Sequence, residues 1–304
     1  MIPVWIPIAV TAALFQCWRT ALQQKLRHLL SVNGAGFVRF LYGAPTASLL
    51  LFLSLRITGA PLPEANWRFV AFCAAGGIAQ ILATNLLIMA FGYRNFAVGT
   101  AYGKTETVQS AVIAFIFLHE VLSMLAWVGI AIGLTGVMTL SLAGKGFKPR
   151  DLAMATVQPA ALCGLGAGFI FAFNIVFIKM AFYSLPGPSL VVRTMFGLVI
   201  TNTLQILLQG SFLLLREPGQ LRKALETWRT SMWAGTLSAC GSACWATGFA
   251  LTDVALVRSV GQVELVFTLL FSRFYLKETL KRSDVAGLVL VVGGVLLIVL
   301  GHSV

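Results

Sequence analysis

The sequence predicts an all-α integral membrane protein in which ten transmembrane helices form two inverted five-helix repeats around a central cavity. Composition is the first observation: the 304 residues are 58% hydrophobic and 11% charged, with a mean hydropathy of +0.89. No soluble domain of this length buries so much apolar surface. The second observation is a set of ten apolar segments separated by short connections. The third is a polar stretch around Glu106 that recurs 158 residues later around Glu264.

The ten segments each hold about 20 residues, the length that crosses a hydrocarbon core of about 30 Å as a helix. We expect the first segment to be retained rather than cleaved as a signal peptide. It lacks a basic amino-terminal region, and it ends in Lys25 and Arg27 rather than at a cleavage site. The predicted spans are 3–25, 34–56, 68–92, 96–118, 123–143, 157–182, 188–213, 231–252, 255–275 and 283–301.

Two related halves are indicated by basic residues as well as by the polar stretch. Lys25 and Arg39 are fourteen residues apart, and so are Lys179 and Arg193 in the second half. Because five spans per half is an odd number, the second half must be inverted in the membrane relative to the first. The predicted organisation is a first repeat at 1–144, a connecting loop at 145–155 and a second repeat at 156–304.

Lysine and arginine are unevenly distributed among the connections. The loops between spans 1–2, 3–4, 5–6, 7–8 and 9–10 carry most of them. By the positive-inside rule these loops lie in the cytoplasm and both termini lie outside, in what we expect to be a bacterial inner membrane. The same rule accounts for the net charge of +12, so we expect no nucleic-acid partner.

Two acidic residues lie in the middle of apolar segments, Glu106 in the fourth and Glu264 in the ninth. A carboxylate at membrane depth is costly unless it faces a partner or water, so both are candidates for a functional site on the internal symmetry axis. One interpretation is that each takes up and releases a proton. The alternative is that each is held by a neighbouring Arg, Lys or backbone amide and ties helices together.

Helical periodicity places other polar residues beside these acids. Tyr102 and Gln109 share a face with Glu106, whereas Lys104 points to the opposite side. In the ninth segment, Arg258 and Gln262 lie on the side away from Glu264. We therefore predict Lys104 and Arg258 as electrostatic partners, with Tyr102, Gln109 and Gln262 as substrate contacts.

Further candidate contacts lie on other segments. Arg19 in the first span either binds an anionic group of a substrate or extends its charge toward the membrane surface. Trp18, Asn85, Asn174 and Trp245 are candidate cavity residues, with ordinary interhelical hydrogen bonding as the alternative for each. The remaining basic residues of the repeat are interpreted mainly as architecture, namely Lys25, Arg39, Lys179 and Arg193.

Local features predict how the helices begin, end and pack. Glu120 and Glu278 at span ends are predicted to form hydrogen bonds with helix termini or loops. Gly129-xxx-Gly133 and Gly164-xxx-Gly168 predict close helix contacts. Gly103 and Gly261 precede the central acids and predict soft places in their helices.

No nucleotide-binding loop, HExxH motif or nucleophile elbow is present in the sequence, so we expect no enzyme, cofactor or metal site.

Two stretches carry a resemblance to a known family. They are Leu118-His119-Glu120-Val121-Leu122-Ser123 with Gly129 and Gly136 after it, and Leu276-Lys277-Glu278-Thr279-Leu280 with Gly287 and Gly294 after it. They resemble the signature of EamA-type permeases of the drug/metabolite transporter superfamily. The resemblance implies ten helices in two inverted repeats, a central cavity, and proton- or exchange-linked movement of small metabolites, often outward. Thr107 and Leu265 depart from the family, which commonly has proline after the central acid.

These expectations combine into a prediction of function. The chain is expected to be a secondary active transporter, and an exporter, of small organic metabolites such as amino acids or organic acids. The alternatives are a transporter of cationic or amphipathic drug-like compounds, and a non-transporting membrane scaffold. The expected partners are a small-molecule substrate, the lipid bilayer and a coupling proton or counter-solute, for a monomer or a homodimer.

Overall fold

A computed structural model describes residues 3–26, 28–90, 102–142, 158–187, 189–267, 270 and 282–302. Within these ranges every regular element is a helix and there is no strand, which confirms the all-α prediction. The α-helices are α1 (Trp5–Leu26), α2 (Val32–Leu41), α3 (Gly43–Thr58), α4 (Trp67–Ala90), α5 (Glu106–Leu118), α6 (Met124–Leu142), α7 (Pro159–Ser184), α8 (Leu190–Arg216), α9 (Pro218–Glu226), α10 (Trp228–Leu251), α11 (Val254–Val260) and α12 (Arg282–His302).

Several of these helices are suited to a bilayer. Four segments are long and apolar enough to cross a membrane: Val32–Thr58, Trp67–Ala90, Pro159–Ser184 and Leu190–Arg216. Shorter apolar stretches occur in α5, α6 and α12. Several predicted features lie outside the described residues. They are parts of the spans 96–118 and 255–275, the loop 145–155, and Glu278.

The predicted second span is interrupted at Tyr42, which separates α2 from α3. Pro45 provides the physical reason. It has no N–H to donate to the carbonyl of Leu41, and its ring crowds that carbonyl, so α2 ends there. The predicted segment 34–56 is therefore two helices that share one apolar stretch rather than a single helix.

The connection between the predicted spans 188–213 and 231–252 is not a simple loop, because it contains the helix α9. Pro218 lies in the first turn of α9, a position at which the missing N–H of proline has no consequence. The chain before it is fixed by Glu217, whose carboxylate accepts hydrogen bonds from Ser31 Oγ at 2.5 Å and Asn33 Nδ2 at 2.6 Å. The hydroxyl of Tyr42 also donates to the carbonyl of Ala224 in α9 at 3.1 Å.

The helices belong to two compact units. Unit 1 comprises Met1–Ile81 and Asn174–Thr252, and unit 2 comprises Leu82–Phe173 and Asp253–Val304. The division falls within α4 and within α7. Each unit therefore contains segments from both halves of the sequence.

In unit 1, α10 contacts α1, α2, α3 and α8. A Cβ at Gly235 of α10 would lie 2.7 Å from the backbone nitrogen of Gly43, so the absence of a side chain permits this close approach. Basic residues bind helix ends: Lys179 Nζ donates to the carbonyl of Thr252 at 2.9 Å, and Arg193 Nη1 donates to that of Leu185 at 3.2 Å. These contacts agree with the architectural interpretation of Lys179 and Arg193.

In unit 2, α6 packs against α12 through glycine. A Cβ at Gly129 would lie 2.7 Å from the carbonyl oxygen of Gly294, and a Cβ at Gly136 would lie 2.8 Å from that of Gly287. Gly133 is equally close, because a Cβ at Gly294 would lie 2.6 Å from its backbone nitrogen. The close contact predicted for Gly129-xxx-Gly133 is present.

Candidate functional site

Both central acids stand at the start of a new helical section. Helix α5 begins at Glu106, after a turn at Lys104 and Thr105. In the ninth segment α11 ends at Val260, a 3-10 turn covers Gly261–Val263, and helical geometry resumes at Glu264. One interruption begins at Gly261 and the other directly after Gly103, next to the soft places predicted for these helices. Unpaired N–H groups at a helix start carry partial positive charge, which favours a carboxylate there.

Two ion pairs join the fourth and ninth segments within unit 2. Lys104 Nζ lies 2.7 Å from Glu264 Oε2, and the carboxylate of Glu106 pairs with the guanidinium of Arg258. The four side chains are 11–22% exposed. Each segment supplies one acid and one base, so the pairing is reciprocal.

The two ion pairs are not related by the internal repeat. Glu106 and Glu264 occupy corresponding positions, but the residue that corresponds to Lys104 is Gln262. The position that corresponds to Arg258 is Thr100, again not a base. The acids therefore repeat while the bases differ, and the two carboxylates have unlike partners.

Other predicted contacts surround Glu106. Tyr102 is buried, and its carbonyl accepts a hydrogen bond from the hydroxyl of Thr105 at 2.6 Å. Gln109 Nε2 donates to the same hydroxyl at 3.2 Å. Gly168 of α7 packs against the face of α5 that carries Glu106 and Gln109. A Cβ at Gly168 would lie 2.9 Å from Gln109 Oε1 and 3.3 Å from Glu106 Cα. Any side chain at Gly168 would displace the acid or its neighbour.

Gln262 is buried, with 4% of its surface exposed, and lies against Gly133 of α6. A Cβ at Gly133 would come within 2.8 Å of Gln262 Oε1. Within the described part of the chain, neither polar atom of the Gln262 side chain has a hydrogen-bond partner. Buried amides are rarely left in this state, so the site has hydrogen-bonding capacity for a ligand or a water molecule. Asn85 lies half-buried on α4 in the same unit.

The remaining candidates lie in unit 1. Trp245 Nε1 donates to Gln16 Oε1 at 3.0 Å, and its ring stacks on Phe249 with centroids 5.8 Å apart. Asn174 Nδ2 donates to the carbonyl of Gly76 at 2.7 Å, which is the interhelical hydrogen bond of the alternative interpretation. Trp18 is 57% exposed on α1.

Arg19 is half-buried on α1, in the same unit as Arg39 of α2. Helices α1 and α2 both pack against α10. This common neighbour, rather than the spacing of residues within either helix, determines where the two arginines lie.

Long apolar helices, interrupted at charged residues that form ion pairs, are typical of a multi-pass membrane protein with a functional site at membrane depth. The model of the EamA-like transporter family matches residues 3–142 and, a second time, residues 158–300. The chain belongs to this family, and so to the drug/metabolite transporter superfamily. The double match confirms a two-repeat architecture, and the family consists of transporters rather than enzymes.

Comparison with solved structures supports the same fold. One crystal structure of a protein superposes with a TM-score of 0.73 over 99% of this chain and 97% of its own, at 16% sequence identity. At that identity the likeness shows the fold alone. A comparison with curated proteins finds no significant match.

Proposed function

We propose that the chain is a secondary active transporter that exports small organic metabolites, such as amino acids or organic acids, from bacterial cells. In this proposal ten spans, arranged as inverted repeats at 1–144 and 156–304, give alternating access to a central cavity in the inner membrane. Transport is coupled to a proton or to a counter-solute. Membership in the family supports the class of function, and the ion pairs of unit 2 support the mechanism.

The observation that carries the proposal is the reciprocal pairing of charges between the fourth and ninth segments. Removing one partner from a buried ion pair destabilises a protein by roughly 3–5 kcal/mol, because the other charge is left uncompensated. The pairs therefore separate only when a proton neutralises the carboxylate or when another charge replaces one partner. A coupled transporter needs a conformational change that depends on one of these two events.

Glu106 is the proposed site of the coupling proton, and Glu264 is its counterpart in the second repeat. A proton on Glu106 releases Arg258, and loss of that proton restores the pair. Gln262 has open hydrogen-bonding capacity, so it is the neutral group best placed to contact a polar solute within unit 2. Tyr102 and Gln109 orient the stretch that bears Glu106.

The test is exchange in proteoliposomes, with radiolabelled leucine, phenylalanine, threonine and malate as probes. We expect at least one probe to exchange, with a rate that depends on pH. Glu106→Gln cannot ionise, so we expect the rate to fall at least about tenfold and to lose its pH dependence. Glu64→Gln, an exposed loop variant, is the control and should behave as wild type.

A charge exchange separates transport from folding. The double variant Glu106→Arg with Arg258→Glu keeps an ion pair but moves the acid, so we expect thermal stability near wild type and no proton-coupled exchange. Full recovery of pH-dependent exchange in this variant would mean that the pair is only a structural tie. Undiminished, equally pH-dependent transport by Glu106→Gln would remove the proton assignment directly.

A further inference from the structure

A group of exposed basic residues lies in unit 1 at the place where the apolar helix α8 ends. Helix α8 is long and apolar enough to cross a membrane, and the short helix α9 follows it directly. Helix α9 is therefore expected near the membrane surface rather than at membrane depth. The basic residues are on the last turn of α8, on α9 and on the first turn of α10. We call them the α9 basic surface: Arg216, Arg222, Lys223 and Arg229.

Hydrogen bonds to both ends of α2 fix the inward face of α9. The hydroxyl of Ser31 donates to Glu217 Oε2 at 2.5 Å, and the backbone N–H of Ser31 donates to Gln220 Oε1 at 2.9 Å. At the other end of α2, the hydroxyl of Tyr42 donates to the carbonyl of Ala224 at 3.1 Å. The basic side chains of α9 are therefore presented by an anchored helix, with their faces turned away from α2.

The turn between α9 and α10 keeps Lys223 and Arg229 close along the chain direction. Both the hydroxyl and the backbone N–H of Thr227 donate to the carbonyl of Lys223, at 2.9 Å and 3.0 Å. The carbonyl of Thr227 in turn accepts from the backbone N–H of Ser231 at 3.0 Å. One residue thus belongs to the last turn of α9 and the first turn of α10, so both basic residues lie at the same end of unit 1.

The acidic residues of this region do not neutralise the surface. The carboxylate of Glu217 is directed inward, toward Ser31. Glu226 Oε1 lies 2.9 Å from Arg222 Nε, and both side chains are more than half exposed. Within the described part of the chain, the other three members of the α9 basic surface form no ion pair. The outward face therefore carries net positive charge that an anion can approach.

Exposed apolar side chains adjoin these charges. Leu215 is 82% exposed, Leu225 is 62% exposed and Trp228 is 49% exposed. The guanidinium of Arg229 lies 5.5 Å from the centroid of the Trp228 ring. Tryptophan beside basic residues at the end of an apolar helix is typical of the level of lipid headgroups. A soluble anion offers only charge to such a surface, whereas a phospholipid offers a phosphate and acyl chains together.

The corresponding connection of the first half shows that the fold does not require this surface. The pair Trp67-Arg68 at the start of α4 resembles the pair Trp228-Arg229 at the start of α10. The chain before Trp67-Arg68 has no regular structure at 59–66, and its charged residue is the acid Glu64. The second half has a basic helix at the equivalent place. A connection is therefore common to both halves, and the basic helix is particular to one.

We infer that the α9 basic surface binds the headgroup of an anionic phospholipid. Lys223 and Arg229 supply the positive charge for the phosphate, and Leu225 and Trp228 contact the apolar part of the lipid. Each basic residue near an anionic lipid surface adds favourable binding energy that salt weakens. Because α9 is hydrogen-bonded to α2, a lipid bound here stabilises unit 1. The inference does not depend on which solute the protein transports.

The experiment uses the full chain in nanodiscs of phosphatidylcholine, with and without phosphatidylglycerol. We expect phosphatidylglycerol to raise the thermal unfolding midpoint, and the increase to shrink at high sodium chloride. Binding is measured directly with brominated lipids, which quench nearby tryptophan. Brominated phosphatidylglycerol should quench wild type more than brominated phosphatidylcholine does at the same mole fraction.

The test variant is the double substitution Lys223→Gln with Arg229→Gln, at two exposed positions. We expect the preference for phosphatidylglycerol to fall at least about fivefold, because two basic residues are lost. Lys223→Arg with Arg229→Lys keeps both charges and should retain most of the preference. The matched control is Arg56→Gln with Arg68→Gln, which removes the same charge from the first-half connection and should bind the lipid as wild type does.

Three results would overturn the inference. The first is an unchanged preference for phosphatidylglycerol in the Lys223 and Arg229 double variant. The second is an equal loss in the control, which would assign the effect to net charge. The third is equal stabilisation when sodium phosphate is added to nanodiscs of phosphatidylcholine alone, because the ligand would then be a soluble anion.

Discussion

Glu120 illustrates what a single residue contributes at a helix end. Its Oε2 accepts a hydrogen bond from the backbone N–H of Val254, the first residue of α11, at 2.7 Å. A carboxylate at this position satisfies an otherwise unpaired N–H and interacts favourably with the helix dipole. The sequence predicted a role at a helix terminus, but it could not identify the helix, because the two residues are 134 positions apart.

Loss of this cap should destabilise unit 2. We expect Glu120→Ala to lower the free energy of unfolding by about 1 kcal/mol, as removal of a side-chain cap does elsewhere. Thermal unfolding of the purified protein in detergent measures the change. Glu64→Ala removes an exposed acid and should leave the midpoint unchanged. Equal effects of the two substitutions would assign the change to net charge rather than to the cap.

The ion pairs show the same limit of sequence reasoning at residue scale. Periodicity placed Lys104 on the side of its segment away from Glu106, which excluded a pair between those two. It did not show that Lys104 pairs with Glu264 and Arg258 with Glu106. Those partners depend on how two helices cross, and crossing geometry is not contained in the spacing of either helix.

At the scale of helices, the contact between α6 and α12 depends on glycine. A Cβ at Gly294 would lie 2.6 Å from the backbone nitrogen of Gly133, and neither backbone can move away alone. The neighbouring Gly293 would meet nothing within 4 Å. Adjacent positions on one helix therefore offer a matched pair of substitutions.

We expect Gly294→Ala to destabilise the protein by about 1–3 kcal/mol through overpacking of the helix contact. Gly293→Ala should be neutral or stabilising by up to about 1 kcal/mol, because alanine is the better helix former. Thermal unfolding of the two variants in the same detergent gives the comparison. A stabilising effect of Gly294→Ala would show that α6 and α12 are less closely packed than the structure indicates.

Most helices could be predicted from apolar segments of membrane-spanning length, and the two departures have local causes. The break at Tyr42 follows from Pro45. A hydropathy pattern does not reveal this break, because Pro45 lies within one continuous apolar stretch. Helix α9 escaped prediction because it is short and largely polar, and its start is held by Glu217 through contacts with distant residues. The length of an apolar segment predicts whether it crosses a membrane. It does not predict short polar helices that are stabilised by specific hydrogen bonds.

At the scale of the whole molecule, the charges of the loops predict an orientation in the membrane. The distribution of Lys and Arg predicts that the α9 region is cytoplasmic and that the loop 59–66 lies on the opposite side. Gly219→Cys and Leu62→Cys place a thiol at an exposed position in each. The background should replace the native cysteines, which are Cys17, Cys73, Cys163, Cys240 and Cys244.

We expect a membrane-impermeant maleimide to label Leu62→Cys in right-side-out vesicles and Gly219→Cys in inverted vesicles. The reverse pattern would contradict the orientation that the Lys and Arg counts predict. Labelling of both from one side would contradict an odd number of crossings between the two loops. Prior treatment with a permeant maleimide controls for the reactivity of each thiol.

The repeated acids predicted a two-repeat chain, and the double family match confirms it. The compact units divide the molecule differently, since each contains segments from both halves. The sequence repeat follows the order of the helices along the chain. Packing pairs α1 with α10 and α6 with α12, and neither pairing follows from that order.

In each of these pairs one helix comes from the first half of the sequence and the other from the second half. A fragment with only the first half would therefore leave α1 without α10 and α6 without α12. Such a fragment would expose, at each vacant contact, the small-residue surface that normally meets its neighbour. Neither half of the sequence therefore carries both partners of either contact, and we expect neither half to form a stable bundle by itself.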